Sequence, residues 1–149
     1  MSDDWLLYIP VDPEFVPPGD SAENARALLA QFLPQANKVT ARRKNAVTFF
    51  HPGGNWSGVQ CPECNTNIEQ WWQEVMTTAS ESQFENLIVR TPCCGVKRSL
   101  NDLHYVWPAA FGRFVLEAMN PNDRDLGPEK EAELARALGC GIRKVWIHL

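Results

Sequence analysis

Apolar residues recur along this chain with two periods, one close to two residues and one between three and four, and the change from one to the other marks out the elements. Trp5 to Val11 is apolar and suited to a strand; Pro10, Pro13, Pro17 and Pro18 then form a stretch that neither a helix nor a central strand can cross. Asp20 and Glu23 make a capping pair ahead of Ala22, Ala25, Leu28, Leu29, Phe32 and Leu33, whose spacing predicts a helix that Pro34 stops. A polar link carrying Lys38, Arg42, Arg43 and Lys44 leads into a second strand, Ala46 to His51, and a turn at residues 52–55.

The next stretch, from Cys61 to about Asn101, has signals of its own. Thr66 and Glu69 suggest a capping box for a helix with Ile68, Trp71, Trp72 and Val75 on one face, followed by a short strand from Asn86 to Arg90. Ser99 and Asp102 are placed to cap a helical turn, and Phe111 to Met119 reads as a third main strand with Phe114, Leu116 and Ala118 on its inner face. Gly127-Pro128 opens a last helix whose Glu129, Glu131 and Glu133 suit its positive end. Gly139 closes it, and Lys144 to Leu149 supplies the final strand. The order strand, helix, strand, insertion, strand, helix, strand matches the α+β ferredoxin-like βαββαβ pattern, with a metal segment at residues 58–104 inserted between the two middle strands of a single domain spanning 1–149.

Chemistry concentrates in that segment. Cys61-Pro-Glu-Cys64 sets two thiols at an interval that lets one turn offer both sulfurs to one ion, and Cys93-Cys94 follows after 28 intervening residues. Four thiolates suit a structural zinc ion, which they hold in a tetrahedral shell without redox change. The Cys-Pro-x-Cys turn resembles those of zinc-ribbon modules over roughly 40 residues, a likeness that breaks at Cys93 and Cys94, which are adjacent where the group spaces its cysteines by two. Gly95 permits the bend that lets neighbouring cysteines both ligate; otherwise His51 or His104 replaces one of them. Two buried thiols without metal and an iron–sulfur cluster are the competing readings. A catalytic zinc needs an open coordination position, which four thiolates close. The His-x-Glu of a nucleobase deaminase is missing ahead of the paired cysteines.

Bulk properties narrow the class further. With 44% hydrophobic and 21% charged residues the composition is globular, and no run reaches the roughly 20 apolar residues of a membrane span. The acidic first residues are unlike a secretory signal, so a cytoplasmic home is expected, where cysteines stay reduced. A net charge of −4 suits a basic protein partner better than nucleic acid. His51 to Trp56 reads as a plain glycine turn, and Cys140 as a packed thiol. Trp56, Trp71 and Trp72 are the candidate partner contacts, because aromatic rings bury large areas at small entropic cost. Pro92 to Gly95, Ser99 to Leu103 and Trp107-Pro108 are similar to elements of an uncharacterised family of small bacterial proteins; the resemblance spans most of the chain and implies a bacterial source but no activity. The expected function is therefore a non-enzymatic, zinc-binding protein-interaction module, possible forms being an immunity or antitoxin-like inhibitor. The alternatives are a nucleic-acid-associated zinc protein and a zinc enzyme.

Overall fold

The computed structural model describes residues 3–122 and 125–149. Four strands form one antiparallel sheet: β1 (Asp4–Pro10), β2 (Lys38–Phe50), and two that come later in the chain, β7 (Ala110–Met119) and β8 (Ile142–His148). Their spatial order is β2-β7-β1-β8, so β1 and β2 run parallel to each other with β7 between them. Helix α1 (Gly19–Phe32) joins β1 to β2, and helix α3 (Pro128–Leu138) joins β7 to β8.

Alternation along the central strands decides what each face covers. Leu6 and Tyr8 of β1 and Phe114, Leu116 and Ala118 of β7 point to one side, where they bury Ala25 and Leu29 of α1 and Leu134 and Leu138 of α3. The Tyr8 hydroxyl donates to Glu131 Oε2 at 2.7 Å, which fixes α3 on the sheet. Proline stands near the start of α3, and Gly139 ends it at φ 79°, a left-handed position that other residues adopt at a cost.

The second face carries a smaller cluster built from the strands themselves. In the β2–β7 pair Arg43 lies opposite Phe114, yet Thr48 lies opposite Gly112, so residues 44–47 stand against Arg113 alone. A bulge of this size re-aims the rest of the ribbon. Beyond it Phe50 and Ala110 cluster with Leu7, Ile9, Val115 and Val145, all buried. Gly112 makes the approach possible, since a Cβ there would lie 2.5 Å from a methyl of Ile9.

The basic stretch expected as a link is strand, because β2 runs unbroken through Lys38, Arg42, Arg43 and Lys44. Pairing with β7 overrides the local polarity, and the positive side chains mark a sheet edge that resists pairing with other chains. Arg42 Nε lies 3.4 Å from Glu117 Oε2 across the pair. Neither expected capping pair forms. Pro18 holds the cap position of α1, and Glu69 N–H is met by Asn67 Oδ1 at 2.9 Å in place of Thr66.

Residues 51–109 lie between β2 and β7 and include the expected segment 58–104. They hold the two-residue strands β3 (Val59–Gln60) and β6 (His104–Tyr105), which pair; helix α2 (Glu69–Glu81); and the hairpin of β4 (Ile88–Arg90) with β5 (Lys97–Ser99). Strands this short cannot stand alone. They rest on a separate cluster in which Val59, Ile68, Trp72, Leu100, Leu103 and Tyr105 pack against Val47 and Phe111 of the main strands.

Asn101 ties this cluster to the sheet. Its side chain is 4% exposed, accepts from Phe111 N–H at 3.0 Å and donates to the Val11 carbonyl at 3.0 Å. Ser99 caps the short turn that presents it, accepting from Asn101 N–H. Asn101→Ala leaves a buried amide without an acceptor, so a loss of about 2–3 kcal/mol is expected in urea denaturation. A loss under about 0.5 kcal/mol, the range of an ordinary surface change, would show that water replaces the side chain without penalty.

Candidate metal centre

Two tight turns carry the cysteines, and their backbones are alike. In the first, Cys61 N–H donates to Thr66 O at 2.9 Å and Asn65 N–H donates to Cys61 O at 2.9 Å, with Asn65 at φ 61°. In the second, Thr91 N–H donates to Val96 O at 3.1 Å and Gly95 N–H donates to Thr91 O at 2.8 Å, with Gly95 at φ 64°. Proline follows the first residue in both, as Pro62 and Pro92. The turns therefore superpose in register: Cys61 corresponds to Thr91, Glu63 to Cys93 and Cys64 to Cys94.

This register explains the adjacent cysteines. Thr91 occupies the place that Cys61 fills in the other turn; it is buried, and its hydroxyl accepts from Val96 N–H at 3.2 Å. Cys94 is the counterpart of Cys64, while Cys93 reaches the cluster from the position that Glu63 holds in the first turn. Glu63 itself pairs with Arg98 of β5, linking the first turn to the hairpin that carries the second.

The sulfurs of Cys61, Cys64, Cys93 and Cys94 all lie within 4.8 Å of one another. A tetrahedral ion with sulfurs at about 2.3 Å spaces them roughly 3.8 Å apart, so the cluster has the size of such a shell and could hold a metal ion. Cys61 is buried in the insertion's cluster, and the other three are exposed. Cys64 Sγ lies 3.1 Å from Thr66 Oγ1 and 3.4 Å from Cys93 Sγ. Hydrogen bonds from the Thr66 side chain and backbone, then from Cys93 and Cys94, lower the Cys64 thiol to about 6. Cys94 is pushed up to about 12, first by its hydrogen bond to Cys64 and then by partial desolvation among the neighbouring sulfurs; Cys93 is raised by the same desolvation and by Cys64.

Neither candidate histidine joins the four sulfurs. His51 stacks on Trp56 at 4.8 Å between ring centroids, with its Nδ1 accepting from Gly53 N–H at 2.9 Å. His104 lines a separate groove with Asp102 and Arg143. Cys140 is half-buried against the α1–α3 core, where burial raises its thiol.

The three tryptophans divide. Trp72 is 8% exposed and donates to Tyr105 Oη at 3.1 Å, so it is a core ring with no free surface for a partner. Trp56 is half-buried, sandwiched between His51 and Trp72, and its Nε1 donates to Glu69 Oε2 at 3.2 Å. Trp71, also half-buried, packs against the same cluster and lines a surface groove with Asn67, Gln70, Glu74 and Pro92. Trp107 is the ring that sequence reading passed over, at 41% exposed. Its Trp-Pro context carries no periodic signal that would separate a surface ring from a core one. Thr91 was legible in principle: aligning the two turns on their prolines places it against Cys61.

Comparison with protein-family models, curated proteins and solved structures finds no match to this chain.

Proposed function

We propose that this chain is a non-enzymatic zinc protein whose role is to bind another protein. The observation that carries the reading is the closeness of four sulfurs from two matching turns. Four thiolates favour zinc among the common divalent ions, and as ligands they leave it no open position for water or substrate. Cys61, Cys64, Cys93 and Cys94 are the proposed ligands, and the segment bearing them is a zinc-ribbon-like insertion. The host is a ferredoxin-like core, a reading supported by the order β2-β7-β1-β8 and by the parallel run of β1 and β2 on either side of β7.

A protein partner is favoured over nucleic acid by charge. Residues 61–98 contain Glu63, Glu69, Glu74, Glu81 and Glu85 against Arg90, Lys97 and Arg98, and the whole chain carries −4. Such a field repels phosphates and attracts a basic protein, as an immunity-type inhibitor in a bacterial cytoplasm would require. No helix of the described residues is long and apolar enough to cross a membrane.

Metal analysis of protein purified without chelators tests the centre. About one zinc per chain is expected from a shell of four thiolates. Metal-free protein would remove the basis of the reading, and iron with sulfide would replace it with a cluster protein.

A further inference from the structure

We propose that the groove between α2 and the second cysteine turn is the partner site, and that it takes an arginine side chain from the partner protein. The inference rests on the protein-binding reading above and names the site and the chemistry it selects. The groove is open to solvent and offers about 430 Å3, room for one long side chain with part of its backbone. Trp71, partly packed on the core cluster, offers the rest of its ring on one wall. Pro92 forms another, and Gln70 and Glu74 supply polar atoms along α2.

Charge selects the occupant. Helix α2 carries Glu69, Glu74 and Glu81 and no lysine or arginine. Glu69 is engaged by the Trp56 indole, whereas Glu74 is exposed and forms no ion pair among the described residues. An aromatic face beside an unpaired carboxylate, one helical turn apart, is the pairing a guanidinium uses: its plane stacks on the ring while its fork meets the carboxylate. Lysine fits less well, because an ammonium is a hydrated point charge that cannot stack.

The centre and the groove are joined. Pro92 belongs to the turn that presents Cys93 and Cys94, and Asn67 follows directly on the turn that presents Cys61 and Cys64. An ion that holds the two turns together therefore also fixes the spacing of the groove's walls.

An array of random octapeptides, each made once with arginine and once with citrulline in its place, tests the assignment on the zinc-loaded full chain. Citrulline keeps the shape and hydrogen-bonding plane of arginine and removes its charge. Arginine peptides are expected to bind at least about tenfold more strongly than their citrulline partners, a preference that Glu74→Gln and Trp71→Phe each reduce severalfold. Glu74→Gln changes an exposed side chain and keeps the fold, so its effect reads the groove directly. Peptides that bind equally well with citrulline, or that bind regardless of Glu74, would overturn the arginine site and leave the protein-binding reading standing. No binding by any peptide would overturn the site as well. Arginine-selective binding that is unchanged in metal-free protein would support the site and separate it from the zinc centre.

Discussion

Cys64→Ser is expected to lower metal affinity by more than about 100-fold, since loss of a ligand exceeds the roughly 10- to 100-fold cost of losing an outer partner of one. The structural effect should be confined. The β4–β5 hairpin has three residues per strand, and its exposed side chains give it little packing of its own. Its tie to the first turn through Glu63 and Arg98 is a half-exposed ion pair of small value. Without the ion, amide protection should fall across 61–67 and 88–98. Helix α2 should loosen but stay docked through Trp72, which packs against Tyr105 and Phe49. Amides of β1, β7 and β8 should keep their protection, because the clusters on the two sheet faces contain no residue of the cysteine turns. Hydrogen exchange beside zinc analysis reads both effects. Unfolding of the whole chain on metal loss would show that the insertion and the sheet share one cooperative unit, and unchanged exchange would show that the turns hold without a metal.

Moving the fourth ligand back into register should rescue its loss. Cys93→Ser is expected to weaken metal binding by more than about 100-fold, as loss of Cys64 does, leaving the three sulfurs that occupy equivalent or buried positions. In that background Thr91→Cys places a thiol where Cys61 stands in the matching turn and should restore most of the affinity. Thr91 is already buried, and threonine and cysteine differ little in volume, so the exchange asks for no rearrangement. Its cost is the hydroxyl's bond to Val96 N–H, which a sulfur accepts more weakly. A chelator competition on wild type, Cys93→Ser and the double variant gives the three affinities. A double variant no tighter than Cys93→Ser would mean that the two turns do not present ligands in the same way, despite their matching hydrogen bonds.

Local physics made much of this protein legible in one dimension. The apolar spacing of Ala22, Ala25 and Leu29 identified a helix face, and Phe114, Leu116 and Ala118 share the side of β7 that receives it. The glycine at 139 ended α3 where a left-handed residue was needed. The paired cysteines announced a metal-sized cluster, because the interval between Cys61 and Cys64 is set by a turn whose bonds are all local. Each of these rests on residues within a few positions of one another, where sequence spacing and spatial spacing are the same quantity.

Contacts between distant residues needed the folded chain. The basic stretch from Lys38 to Lys44 became strand because β7, some 70 residues later, offered a hydrogen-bonding edge that outweighed the local polarity. Asn101 is indistinguishable in sequence from a loop asparagine, and its place as a clamp exists only where Val11 and Phe111 meet. Trp71 and Trp72 are neighbours in sequence, yet one lines a groove and the other is core, a difference made by which side of α2 faces Tyr105 and Trp56. The adjacency of Cys93 and Cys94 broke the likeness to a zinc ribbon in sequence, whereas the second turn keeps the hydrogen bonds of the first and brings Cys93 to the cluster from the position that Glu63 holds. Residue order set the options at these places, and burial chose among them, because the partners that decide burial arrive from other parts of the chain.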